Sequence, residues 1–206
     1  MLNNNDIEIL QEVMNIAFGK ASADLAEVID IRVFLNVPYV ELLNAADLPR
    51  RIVEEVKMYK DIRIVEQNYW GKFKGSALLI FPAESGKGLI SLFEDDFDEN
   101  MNVDRLVFEK ETLLEVGNIL IGACVGKIAE LLDDVVSYSP PNVTVQRISK
   151  QPILERLADP EKHAIFMKTV FQFEDKDVSG ALFLISGQDS LTWLKTALNN
   201  FMAKFG

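Results

Sequence analysis

The sequence predicts an α/β fold: one layered domain made by internal duplication, with pseudo-two-fold symmetry and a largely antiparallel sheet flanked by two long helices. Three observations predict it. First, Glu115-Val116-Gly117-Asn118-Ile119 is followed by Pro141, with 22 residues between Asn118 and the proline; Glu12-Val13-Met14-Asn15-Ile16 is followed by Pro38 at the same interval. The two copies of E-x-x-N lie 103 positions apart in a chain of 206 residues. The simplest organisation is two versions of one unit, approximately 6–99 and 107–204, fused into a single domain over 1–206. Second, each copy lies in a stretch whose apolar residues recur every three or four positions, the period of a helix with one buried face. Third, each such stretch is followed by segments that alternate apolar and polar residues, and helices alternating with hairpins predict a layered α/β architecture.

The elements follow in order. Residues 6–29 read as a long helix with Ile7, Leu10, Met14, Ala17 or Phe18, Ala21, Leu25 and Val28 on one face, and Asn5 with Glu8 fits an N-terminal capping pair. Residues 31–43 alternate around Ile31, Val33, Leu35, Val37, Val40 and Leu42, a strand interrupted at Pro38, where an edge or bulge is expected. A short helix is expected at 46–58, strands at 60–69 and 73–81 joined near Gly71, a further helix candidate at 84–93, and an acidic surface connection over Glu94 to Glu99. The second half repeats the order: a helix at 109–133, an interrupted strand at 135–147 containing Pro140-Pro141, a short helix at 151–158, strands at 163–174 and 178–186, and a closing helix at 189–203. The last strands match as well, Ser76-Ala77-Leu78-Leu79-Ile80 against Gly180-Ala181-Leu182-Phe183-Leu184.

Composition narrows the function. Hydrophobic residues make up 49% and charged residues 26%, a globular balance. The net charge of −11 argues against a nucleic-acid partner, whose phosphates attract basic surfaces, and does little for binding an anionic membrane. Cys124 is the only cysteine, so no intramolecular disulfide can form, and its apolar helical setting marks it as a small core residue. The N-terminus lacks the basic and apolar regions of a signal peptide, and no apolar run approaches the ~20 residues of a membrane span. A cytoplasmic protein without membrane insertion is expected. His163 is the only histidine, which excludes a Ser-His-Asp triad and a multi-histidine zinc site; Gly86-Lys87-Gly88 lacks P-loop spacing. No intrinsic metal is expected, since no carboxylate spacing specifies one.

Residues three and four apart share a helix face. Glu8, Glu12, Asn15, Gly19 and Ser22 therefore form one polar stripe, and Glu111, Glu115, Asn118 and Gly122 form its counterpart. A helical glycine costs about 1 kcal/mol relative to alanine, so Gly19 and Gly122 ask for a reason: close packing of the helix, or room for a partner beside the Asn. Glu115 carries a structural alternative of its own, because Thr112-x-x-Glu115 is a capping-box pattern if the helix begins at Thr112. Trp70 and Trp193 read as core or rim residues.

The paired E-x-x-N-x22-P motif resembles the CheC/CheX/FliY family of chemotaxis phosphatases, over nearly the whole chain. Two motifs in a chain of this length are similar to its CheC branch; CheX proteins are shorter and keep only the second motif, and FliY proteins add a C-terminal domain. The resemblance implies a CheC-like fold and hydrolysis of the aspartyl phosphate of a CheY-like response regulator. By position, Glu12 and Glu115 would pair with the regulator's active-site lysine, Asn15 and Asn118 would orient the attacking water, and Pro38 and Pro141 would shape the turn beside each site. Mg2+ would be held by the regulator. The family pattern usually has Asp or Ser four residues before the motif Glu; here Glu8 and Glu111 stand there and add negative charge. Two alternatives stand beside the phosphatase: a binding module that sequesters the phosphorylated regulator or binds the CheD deamidase, which would use the same motifs, and a flagellar-switch component like the FliM middle domain, which shares the duplicated architecture but which the two E-x-x-N motifs disfavour.

The chemistry suits these residue types. An acyl phosphate is already activated, and phosphoryl transfer is mostly positioning and electrostatics. A side-chain amide both donates and accepts, so it can hold a water in line without adding charge. A carboxylate beside a phosphoryl group is unfavourable unless it faces a cation.

Overall fold

The computed structural model describes residues 2–29, 32–85, 88, 105–147, 163–174 and 178–205. In chain order the elements are α1 (Asn4–Ile29), β1 (Val33–Leu35), β2 (Tyr39–Asn44), α2 (Leu48–Val56), β3 (Asp61–Trp70), β4 (Gly75–Pro82), α3 (Arg105–Leu131), β5 (Ser137–Tyr138), β6 (Asn142–Arg147), β7 (His163–Phe173), β8 (Ser179–Gly187) and α4 (Leu191–Phe205). Short 3-10 turns cover Ala45–Asp47, Ala83–Ser85 and Gln188–Ser190. Beyond the turn at Ala83–Ser85, the helix expected at 84–93 lies largely outside the described residues, as do the connection at 94–99 and the short helix at 151–158.

Two local expectations are corrected. The cap of α1 is Asn3 with Asp6, not Asn5 with Glu8: Asn3 N donates to Asp6 Oδ2 at 2.8 Å and Asp6 N donates to Asn3 Oδ1 at 2.8 Å. Asp6 can take the role because it is buried at the helix start, whereas Glu8 points to solvent. The second correction concerns α3, which starts at Arg105. Its stretch Val107–Leu131 is long and apolar enough, by length and composition alone, to cross a membrane, although no such run was expected. More than half of that stretch is buried inside the fold, as befits a helix seated on a sheet.

Every strand pairing is antiparallel. The sheet runs β1–β7–β8–β4–β3–β5, with β2 also on β7 and β6 also on β3. The two halves are therefore interlocked. The first strands of each half pair with the long strand of the other, and β4 and β8 meet at the centre. The two proline interruptions have one form. Between the pairs Leu35↔Phe171 and Tyr39↔Lys168, three residues oppose two; between Tyr138↔Tyr69 and Asn142↔Glu66, three again oppose two. One extra residue makes a β-bulge, and proline is tolerated there because the ladder is already broken. Asn36 N donates to Val170 O and Ser139 N donates to Asn68 O, both at 2.9 Å, so the same backbone bond holds each bulge.

Alternation along the strands divides the core. One face, with Val65, Tyr69, Phe81, Phe171 and Leu182, is covered by the apolar stripes of α1, α3 and α4. On the other, Leu48, Ile52 and Val56 of α2 pack against Ile62, Ile64, Phe166 and Phe183. Each such side chain, fully buried, contributes about 1.5–3 kcal/mol. The rim of α2 is tied down by ions. Arg51 Nε reaches Glu41 Oε2 at 3.0 Å, and Glu55 bridges Arg51 and Lys168. Burial would raise the Glu55 carboxyl, but Lys168 and Arg51 more than offset it and hold its pKa below the usual value.

The helix glycines are not equivalent. A Cβ on Gly117 would meet Val65 Cγ1 at 2.5 Å, so α3 lies directly on β3 there. A Cβ on Gly19 or Gly122 would meet nothing within 4 Å, which removes close packing as the reason for those two. Gly117→Ala is expected to lose about 1–3 kcal/mol from overpacking, despite the better helix propensity of alanine. Gly122→Ala is expected to hold stability or gain up to about 1 kcal/mol. Urea titrations of the two variants check the contrast. A second expectation concerns cooperativity. Trp70 lies at the end of β3 and Trp193 packs against the core from α4, and they are the only tryptophans. With the halves interlocked, single-tryptophan variants Trp193→Phe and Trp70→Phe should report coincident unfolding midpoints. Separated midpoints would mean two independent units.

Candidate functional site

Both polar stripes are at the surface. Glu8, Glu12, Asn15 and Gly19 of α1 are exposed, as are Glu111, Glu115 and Asn118 of α3; Ser22 and Gly122 are half-buried. The residues between each Glu and its Asn are buried: Val13 and Met14 in one copy, Val116 and Gly117 in the other. The helix thus turns its motif outward because the intervening apolar pair anchors the opposite side on the sheet. Thr112 is buried inside α3, more than a turn from its start at Arg105. A capping role for Glu115 is thereby excluded. Among the described residues none of Glu8, Glu12, Glu111 and Glu115 has an ion-pair or hydrogen-bond partner.

Each motif is tied to its proline bulge, by different atoms. On α1, Gln11 Nε2 donates to Pro38 O at 2.8 Å, and Ser22 Oγ donates to Val33 O at 2.7 Å. Pro38 is buried and Pro141 half-buried. On α3, Tyr138 OH donates to Gly122 O at 3.3 Å. Burial pushes the Tyr138 hydroxyl up to about 12, so it remains a donor through the neutral range. Gln67 of β3 lies opposite the second bulge. Its Nε2 donates to Ser139 O at 2.9 Å and to Asn118 Oδ1 at 3.1 Å. The site therefore gathers Asn118, the Pro141 bulge and a strand residue that motif spacing did not single out. A sequence signal existed: Gln67 falls between Val65 and Tyr69, at the apolar phase of β3, where a polar residue stands out.

The first site differs in this respect. Thr169 of β7 occupies the place opposite the first bulge, and its Oγ1 donates to Asn36 O at 2.7 Å. Asn15 has no side-chain hydrogen bond among the described residues.

Other candidates fall into place. Cys124 is buried, and burial pushes its thiol up to about 12, so it is a core residue. Among the described residues no three His, Cys, Asp or Glu side chains converge on one point.

No family model matches the chain. It is 24% identical to the CheY-P phosphatase CheC of Bacillus subtilis (strain 168), across 96% of this chain and 95% of that protein. Its fold is that of Thermotoga maritima FliY, with a TM-score of 0.69 at 17% identity, covering 99% of this chain and 98% of that one. It is also that of the FliM middle domain of Vibrio alginolyticus, with a TM-score of 0.58 at 11% identity, covering 91% and 99%. The chain is thus similar end to end to a CheC, on a fold shared with FliY and the FliM middle domain.

Proposed function

We propose that the chain is a cytoplasmic chemotaxis phosphatase that hydrolyses the aspartyl phosphate of a CheY-like response regulator at two sites, Glu12 with Asn15 and Glu115 with Asn118. One observation carries the reading: both Glu-Asn pairs stand exposed, each beside a proline bulge, while the residues between them are buried. The end-to-end match to a CheY-P phosphatase supports the choice of substrate.

The chemistry needs little from this chain. A water held by the Asn amide attacks phosphorus in line. The new O–P bond forms as the bond from phosphorus to the aspartyl oxygen breaks, and the water's proton passes to the phosphate. The products are inorganic phosphate and the regulator's free aspartate carboxylate. Holding the water in a near-attack arrangement removes an entropic cost from the barrier. Glu12 and Glu115, without an ion-pair partner among the described residues, are available to dock a lysine of the regulator. Glu8 and Glu111 strengthen the negative field around each site and favour a partner surface with more than one cation. Pro38 and Pro141 hold the bulge against which the regulator sits. Mg2+ belongs to the regulator's own carboxylates.

A second reading, binding without turnover, uses the same surface. It includes sequestration of the phosphorylated regulator and docking of a CheD-like deamidase. The occurrence of this fold in the FliM middle domain keeps it in view, since fold alone does not specify catalysis.

Phosphate release from the phosphorylated regulator separates these. Asn15→Ala and Asn118→Ala are each expected to leave substantial activity, with more lost in Asn118→Ala, and the double variant to lose nearly all. Asn15→Ala should change stability by no more than about 0.5 kcal/mol, as at other exposed sites. Asn118→Ala should cost about 1 kcal/mol, because Gln67 loses an acceptor. A folded double variant with undiminished turnover would sink the role of the amides. Tight binding by the wild-type chain without phosphate release would establish the binding module instead.

A further inference from the structure

We propose that Gln67 is a positioning residue of the second site: its buried amide nitrogen holds Asn118 in one of its two amide orientations and so sets how Asn118 meets water and the phosphoryl group. The proposal rests on the phosphatase reading above.

The orientation follows from donor and acceptor chemistry. Ser139 O is a backbone carbonyl and can only accept, so it fixes the nitrogen end of Gln67 towards the bulge. The same NH2 group has a second hydrogen, and Asn118 Oδ1 takes it. Asn118 therefore turns its oxygen inward and its own NH2 to solvent. Without that bond the terminal torsion of an asparagine is broad and roughly two-fold, so both orientations are open. With it, one oxygen lone pair and two N–H donors always face the same way.

Comparison with the other half separates this role from a merely structural one. Gln67 and Thr169 occupy matching places opposite the two bulges, and both are 2% exposed. Both satisfy the carbonyl at the bulge, Ser139 O in one case and Asn36 O in the other. Holding the bulge thus requires only a threonine. The glutamine adds reach to Asn118, and it carries a penalty, since Gln67 Oε1 is buried without a hydrogen-bond partner. A third difference points the same way. Gly117 lets α3 lie on Val65 of β3, one residue from Asn118, whereas the corresponding position beside Asn15 holds the buried Met14. Close approach of helix to strand and a long buried amide occur together at one site only.

The test uses Gln67→Thr, which copies the residue that already holds the first bulge, with Gln67→Met as a second variant of unchanged length. Each is placed in two full-length backgrounds: Asn15→Ala, where turnover runs through Asn118, and Asn118→Ala, where it runs through Asn15. In the first background kcat is expected to fall about three- to tenfold, the scale of one side chain's released rotamer freedom, with KM for the phosphorylated regulator held within about twofold. In the second, the loss should shrink below about twofold, because the residue it acts through is gone. Independently of turnover, the Asn118 side-chain NH2 resonances should shift in Gln67→Thr while those of Asn15 stay in place. Equal losses in both backgrounds, no loss in the Asn15→Ala background, or unmoved Asn118 resonances in a folded variant would overturn the proposal. Failure of the phosphatase reading is read elsewhere, from a wild-type chain or Asn15→Ala/Asn118→Ala double variant whose phosphate release contradicts it; the resonance experiment still decides whether Gln67 orients Asn118.

Discussion

The exchange of strands between the halves is the constraint on which the rest depends. β1 and β2 have their sheet partner in β7, and β5 and β6 have theirs in β3. Neither half can complete its proline bulge alone, because the residues opposite the bulge come from the other half. Each motif helix is then seated over a bulge whose backbone is anchored by a strand from the other half of the chain. The local stiffness of proline matters only because this pairing leaves one extra residue to accommodate.

That arrangement explains how an exposed pair of polar residues acquires a defined setting. Helix surfaces are ordinarily mobile at the side-chain level, and an isolated Glu and Asn three residues apart would carry no chemistry. Here the apolar residues between them are buried, so the helix cannot roll, and hydrogen bonds tie each helix to its bulge. The glycines of the stripes have a different meaning from the one in the motif. Gly19 and Gly122 leave the surface low beside the Asn, with nothing near enough to demand it from within. Gly117 is demanded from within, by Val65.

The two E-x-x-N stretches stand beside bulges of the same form, and the buried residues opposite those bulges differ. The difference between Thr169 and Gln67 does not alter the bulge, which both support, but it alters what the bulge can hand on to the helix above. The fold is shared with FliY and with the FliM middle domain, and a fold alone does not specify a function. Function has therefore to be argued from the surface residues and what lies directly under them.

The amino-acid sequence alone determined the elements with strong periodicity. The spacing of Leu10, Met14, Ala17, Ala21 and Leu25 defined α1, β3, β4, β7 and β8 lie where strands were expected, and the proline that interrupts the strand expected at 31–43 marked the first bulge. It also located Glu12, Asn15, Glu115 and Asn118 at the surface, because a helix with one apolar face leaves the rest to solvent. Local signals failed where competing residues were equally suited: Asn3 and Asp6 took the cap that Asn5 and Glu8 also fitted, and Thr112 resembled a cap only while the start of α3 was unknown. Strand exchange between the halves was not legible, since periodicity tells which face of a strand is buried but not which strand lies beside it. For the same reason Gln67 stood out as polar in an apolar phase without revealing its partner. Only the pairing of β3 with β5 and β6, and the seat of α3 on Val65, decided that its amide would meet Asn118, 51 residues away in the chain.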